Sequence, residues 1–331
     1  MPAEPVSRRQ FIQVGGVGVA GMVVGLPASA PAAEARPAIA QCAGFSPVVG
    51  AETGLANGIA RTPRGTLKLF VDNHSSQPTK DPLSLKFVTP YFVNINRAGQ
   101  LPPGAKMLLR DERPNVPEIL EVVLPAGLKP GRHDVSIPIV RVDGGPSLLG
   151  HGQLLVSPVR PARDEPPCLL GDATDFQIKT PGASNGPART GRAGNQVNLY
   201  VSYEFCALTR GKGRLVTVRA GNAGPNPTTA DALVTVRTPF YVNVDRSGQL
   251  PPEAKFIYQN TDPTVPEVLG ITVPKGLRPG EERSFAVPLL AVPGTLPGYR
   301  AGGAMVLAGK SDEDVDLRPN AVQFAVTVLA T

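Results

Sequence analysis

Three histidines, His74, His133 and His151, are the residues of this 331-residue chain best suited to moving a proton or holding a metal. None is joined by a second ligand at the short Cys/His spacings that zinc sites use, so they read as structural or solvent-exposed. Ser157 and Ser284 lack the Gly-x-Ser-x-Gly elbow that exposes a nucleophile, and no serine triad follows. Glu118 and Glu267 each sit in Val-Pro-Glu. A glycosidase needs two carboxylates about 5–10 Å apart across one sugar bond. One carboxylate in each half of the chain fits better with a group that accepts backbone hydrogen bonds or pairs with Arg97 and Arg246. Asn243, Asp245, Asn260 and Asp262 offer oxygens to calcium, yet no loop has the acidic density of a calcium site. No cofactor is expected. Arg189, Arg192, Arg210, Lys212 and Arg214 form a basic cluster, read either as a contact for an anionic wall polymer or lipid headgroup, or as a solvated loop.

These residues are positioned by a duplicated chain. Thr89-Pro-Tyr-Phe-Val-Asn-Ile-Asn-Arg-Ala-Gly-Gln-Leu-Pro-Pro103 returns as Thr238-Pro-Phe-Tyr-Val-Asn-Val-Asp-Arg-Ser-Gly-Gln-Leu-Pro-Pro252. The match runs on without a gap through Val116-Pro-Glu118 and Val265-Pro-Glu267 to Pro130-Gly131 and Pro279-Gly280. Apolar residues alternate in short runs, as in Leu67/Leu69/Val71, Leu83/Leu85/Phe87 and Val135/Ile137/Ile139, with equivalents in the second copy. Such runs, bounded by Gly, Pro and Asn, predict half-buried strands. The chain has 37 prolines and 36 glycines, which leaves few windows for a helix. An all-β fold of two sandwiches is expected. Pro138 and Pro288 belong at strand edges or bulges, because proline cannot donate to a ladder. Val197, Leu199, Val201, Tyr203 and Phe205 predict one first strand for the second copy. Residues 181–194, rich in turn formers and without apolar periodicity, read as a linker between domains at 35–180 and 195–331. Aromatic content of 5% without tryptophan argues against stacking of bases, and a net charge of +6 gives only a mild basic balance.

The first thirty residues carry an address. Ser7-Arg-Arg-Gln-Phe-Ile12 precedes an apolar run from Val14 to Leu26 and the small residues Ala28-Ser-Ala30. The stretch resembles a twin-arginine export signal, with Arg8, Arg9, Phe11 and Ile12 on its motif. The apolar run is shorter than the ~20 residues that cross a bilayer, so no membrane span is expected after the signal is removed. The resemblance implies a bacterial protein working outside the cytoplasmic membrane, in the envelope or beyond the cell.

Asn222-Ala-Gly-Pro225, then Val273-Pro-Lys-Gly-Leu277, then Pro279-Gly280 resemble the turn motifs of immunoglobulin-like repeats in bacterial secreted and surface proteins. The first copy departs from that pattern at Asn73-His-Ser-Ser76. The resemblance implies tandem immunoglobulin-like β-sandwiches with a non-catalytic binding, adhesion or structural role. An anionic cell-wall polymer or another envelope protein is then the expected partner, with no nucleic acid. A secreted hydrolase or accessory subunit with a site between the domains is the other reading. Export would place Cys42, Cys168 and Cys206 where disulfides persist. Cys42 and Cys168, near the first and last strands of the first domain, are the favoured pair; Cys168 with Cys206, or three free thiols, remain open. Replacing Arg8 and Arg9 by lysine is expected to leave unprocessed precursor in the cytoplasm, read by immunoblot of fractionated cells.

Overall fold

The strands come in two matching series. The computed structural model describes residues 47–51, 64–142, 148–159, 172–180, 196–310, 313–314 and 316–329. The first series is β1 (Pro47–Ala51), β2 (Arg64–Asn73), β3 (Leu83–Val88), β4 (Val93–Ile95), β5 (Ala105–Leu109), β6 (Ile119–Leu124), β7 (Gly131–Arg141), β8 (Leu148–Pro158) and β9 (Asp172–Thr180). The second is β10 (Leu199–Tyr203), β11 (Cys206–Thr209), β12 (Gly213–Asn222), β13 (Ala232–Arg237), β14 (Val242–Val244), β15 (Ala254–Tyr258), β16 (Val268–Val273), β17 (Glu282–Ala291), β18 (Gly298–Leu307) and β19 (Ala321–Leu329). One 3-10 turn, Arg318–Asn320, is the helical element among the described residues. The fold is all-β.

Each series makes two sheets. In the first sandwich the order is β1-β2-β7-β4 in one sheet and β5-β6-β3-β8-β9 in the other. In the second it is β10-β12-β17-β14 and β11-β19-β18-β13-β16-β15. The alternation seen in the sequence does the packing: Leu69, Val71, Leu85, Phe87, Val122, Ile137 and Val156 turn into the first core, and Val216, Val218, Val234, Ile271, Val287 and Val306 into the second. Burying each such side chain contributes about 1.5–3 kcal/mol.

Three features differ from the expectations. The first strand of the second copy is broken: β10 pairs antiparallel with β12, the chain crosses to the other sheet, and β11 pairs parallel with β19. Phe205, at the crossing, is 61% exposed rather than on the core face. Pro138 and Pro288 lie in β7 and β17, which have neighbours on both sides. Each faces the point where the short third neighbour ends: Pro138 O accepts Asn96 N–H and Asn96 O accepts Gly99 N–H, and Pro288, Asp245 and Gly248 repeat the arrangement. The missing donor is thus replaced by a turn. Finally, the copies slip by one residue after Gly280. Val71 pairs with His133, whereas Ala220, the residue 149 further on, pairs with Arg283. His133 therefore corresponds to Arg283.

The sandwiches are not two beads. Along β3 every residue is buried, since Leu83, Leu85 and Phe87 face their own core while Ser84, Lys86 and Val88 point the other way. That second face packs on the second sandwich: Val88, Leu109, Val116, Ile119 and Leu155 form one cluster with Phe240, Tyr241, Val265 and Val268. The described residues, 47 to 329, accordingly belong to one compact unit. Residues 181–194, the expected linker, lie outside the described residues, as do residues 1–30 of the export signal. If trypsin nicks the chain after Arg189 or Arg192, the two fragments are expected to co-elute in size-exclusion chromatography and to separate only in denaturant.

Candidate functional site

The motif that recurs most faithfully builds a turn that joins the sandwiches. In Thr89-Pro-Tyr-Phe-Val, Val93 N–H reaches Pro90 O and Phe92 has φ 62°; in Thr238-Pro-Phe-Tyr-Val, Val242 N–H reaches Pro239 O and Tyr241 has φ 64°. A left-handed residue at the third place of such a turn is normally glycine, and a bulky side chain there costs about 1–2 kcal/mol. The backbone is held on both sides. Phe92 N–H donates to Pro114 O and its carbonyl accepts Val142 N–H, while Tyr241 uses Pro263 and Val292 in the same way. The strain directs aromatic rings across the interface, where Tyr91 and Phe92 pack on Met305, and Phe240 and Tyr241 share a cluster with Leu155.

Those contacts are exchanged between copies. Leu155 faces Lys86 in the ladder and Met305 faces Thr235, so Leu155 and Met305 are equivalent positions. Lys86 Nζ hydrogen-bonds Thr264 Oγ1 at 2.6 Å, and Thr235 Oγ1 donates to Asn115 O at 2.6 Å. Thr264 and Asn115 are equivalent too. The interface is therefore built like that of an isologous dimer, with each copy offering the same patch to the other. Lys86, buried here, also lies 3.6 Å from Glu121 and 3.8 Å from Asp262.

The repeated carboxylates are clamps. Glu118 Oε2 accepts Ile95 N–H, and Glu118 N–H donates to Thr89 Oγ1 at 2.8 Å. Glu267 Oε2 accepts Val244 N–H at 2.7 Å, and its Oε1 accepts Arg246 Nη2 at 3.0 Å and Asn260 N–H at 3.2 Å. Burial raises the Glu118 carboxyl against the opposing pull of Ile95 N–H and Arg97. Asparagine does similar work: Asn222 donates to Asn226 O and Leu277 O and accepts Asn198 and Gly224 N–H. Asn73 donates to Gln77 O and Leu128 O and accepts from Ser75, so the first copy keeps the device where its sequence departs from the motif. Thr79 and Thr228 complete it by accepting Leu128 and Leu277 N–H.

The remaining expectations resolve locally. Asp245 Oδ1 accepts Ser247 N–H, Asn260 Oδ1 accepts Asp262 N–H, and Asp262 Oδ1 accepts Thr264 N–H, so these oxygens close turns. No group of three or more His, Cys, Asp or Glu converges as a metal site among the described residues. His74 lies 3.6 Å from Asp72, and His133 Nε2 is 2.8 Å from Lys129 O. Arg210, Lys212 and Arg214 sit around the β11–β12 turn, Lys212 and Arg214 exposed and Arg214 Nη1 donating to Ala207 O at 3.1 Å. Arg8, Arg9, Phe11, Ile12, Cys42, Cys168, Arg189 and Arg192 lie outside the described residues. Cys206 is a buried free thiol, and burial raises its pKa.

Sequence reasoning missed a cavity of about 40 Å³ between the sandwiches, lined by Tyr91, His151, Arg237, Gly302, Gly303 and Gln323 among others. Arg237 lies in a strand whose alternation hid it. Its one sequence signal is that the equivalent position in the first copy is Val88. Burial and the Arg237 charge both lower the His151 pKa.

No family model matches the chain, and no curated protein matches it. Among solved structures it is similar to a non-cellulosomal cohesin from the archaeon Archaeoglobus fulgidus, at 16% identity over 40% of this chain and 92% of that one, with a TM-score of 0.27. It is also similar to the B domain of a biofilm associated protein, at 10% identity over 85% of each chain and a TM-score of 0.24. A third is the C-terminal domain of an AgI/II polypeptide from Streptococcus agalactiae, at 9% identity over 86% of this chain and all of that one, with a TM-score of 0.20.

One buried acid gives the second sandwich a pH dependence. Asp314 binds Asn320 Nδ2 at 2.7 Å, and burial raises its carboxyl from 3.8 to about 6. The folded value lies above the unfolded one, so this stabilisation is present below about pH 4 and is lost as pH rises through about 6. Two pK units correspond to ~3 kcal/mol. Chemical unfolding followed from about pH 4 to about pH 7 is expected to lose stability on that order from this group, and Asp314→Asn is expected to flatten the slope.

Proposed function

We propose that the chain is an exported, non-catalytic protein of the bacterial envelope or extracellular space that binds or presents through its surface. The observation that carries this reading is the use made of the recurring polar side chains. Asn73/Asn222, Thr79/Thr228, Thr89/Thr238 and Glu118/Glu267 are all bonded to backbone. What the duplication preserves is a stiff scaffold. The solvent-facing side chains that differ between copies are left for recognition. The Ser7–Ala30 stretch supports export, through its resemblance to a twin-arginine signal. The alternative, a hydrolase or accessory subunit with its site between the domains, would use the cavity beside Arg237. At about 40 Å³ it is far smaller than the ~300–1,000 Å³ of ordinary small-molecule sites.

Within this reading the β11–β12 turn is the contact for an anionic wall polymer, because Lys212 on the turn and Arg214 at the start of β12 are exposed and Arg210 stands beside them. The mature protein is expected to co-sediment with purified cell wall at low salt and to be released as salt rises. Changing Arg210, Lys212 and Arg214 together to alanine should abolish most of that binding while leaving the unfolding midpoint within a few degrees. Wall binding that ignores the three substitutions would remove the turn from the proposal, and turnover of a glycoside, ester or peptide panel would favour the alternative.

A further inference from the structure

The exchange of contacts between the sandwiches is broken at one ladder pair. In the first copy Val88 stands opposite Gln153; in the second Arg237 stands opposite Gly303. A large residue and a small one have changed sides. Gly303 makes the room, since a Cβ there would meet the Tyr91 ring at 3.3 Å and Arg237 Nη2 at 3.4 Å. Arg237 is only 1% exposed and lines the interface cavity, with its guanidinium carbon 6.0 Å from the centre of the Tyr91 ring. Its Nε and Nη1 have no hydrogen-bond partner among the described residues. Asp175 contributes an opposing charge, yet it leaves both donors unbonded.

A guanidinium stays charged inside a protein, and donors removed from water without a partner are costly. The cavity must therefore supply an acceptor. Its size limits the choice: about 40 Å³ compares with the ~10–15 Å³ that one water needs by the same measure, so a few waters or one small ion fit. Its lining favours an ion. Ala321, Val322 and the Tyr91 ring are apolar, and the positive charge of Arg237 is desolvated. We propose that the interface cavity binds one small monovalent anion, of halide to formate size, on Arg237 Nε and Nη1. Bound there, the anion bridges the sandwiches, because Tyr91 and His151 come from the first and Arg237, Gly302 and Gly303 from the second.

Bromide is the probe. Crystals of the mature protein soaked in sodium bromide are expected to show an anomalous peak within hydrogen-bonding reach of Arg237. Thermal unfolding is expected to have a higher midpoint in sodium chloride than in sodium gluconate at equal ionic strength, since gluconate is too large to enter. Arg237→Met should lose both effects, whereas Arg300→Met should keep them, because Arg300 is not part of the cavity lining. Should Arg237→Met fail to fold, the wild-type crystal and the two-salt comparison decide. A cavity filled by water alone, or midpoints that coincide in the two salts, overturns the proposal.

Discussion

Everything in this molecule leans on the burial of two sheet faces that a lone sandwich would leave wet. The strands β3, β6 and β8 carry apolar residues on both sides, and their outward set, Val88, Ile119 and Leu155, is covered by the second copy. Without that cover each sandwich would expose a contiguous apolar patch of the kind that marks an interaction site. The aromatic turns at Tyr91–Phe92 and Phe240–Tyr241 close the gap from either side. Their left-handed backbone is tolerated because several fixed hydrogen bonds determine it, and the rings they project are used at the interface.

The second consequence of duplication is a division of labour among polar residues. Asn73/Asn222, Thr89/Thr238 and Glu118/Glu267 are buried in both copies and each bonds to backbone, which makes the bond hard to replace. Glu267 illustrates this, with two backbone amides and Arg246 gathered on one carboxylate. Where the copies differ, the constraint is released. Lys86 and Thr235 occupy one position and still each reach across to the other copy, whereas Val88 and Arg237 do not play the same part.

Much of this architecture was legible. Alternation placed the core strands, and Val-Pro-Glu was readable as a carboxylate that accepts backbone hydrogen bonds, because one glutamate per copy cannot form a catalytic pair. The interface was not read, although its trace is present. Ile119-Leu120, Leu154-Leu155-Val156 and Val268-Leu269 are continuous apolar runs, the mark of strands covered on both faces. The break at Glu204-Phe205 was invisible, since Phe205 keeps the alternation perfectly while pointing into solvent. Arg237 was hidden for a different reason: a single arginine in a strand normally faces water. The equivalent Val88 in the first copy is a faint sign that this one does not, and the opposing Gly303, unknowable without the register, is what gives it room.

The crossing from β10 to β11 has a mechanical meaning. Because β11 runs parallel to β19, tension entering the second sandwich at its first strands and leaving at its last pulls the two in opposite directions along their common axis. The hydrogen bonds between Cys206–Thr209 and Val326–Leu329 are then loaded side by side and must rupture together. Antiparallel neighbours pulled from one end would instead peel apart bond by bond. A four-residue detour of the chain thus turns a zipper into a clasp.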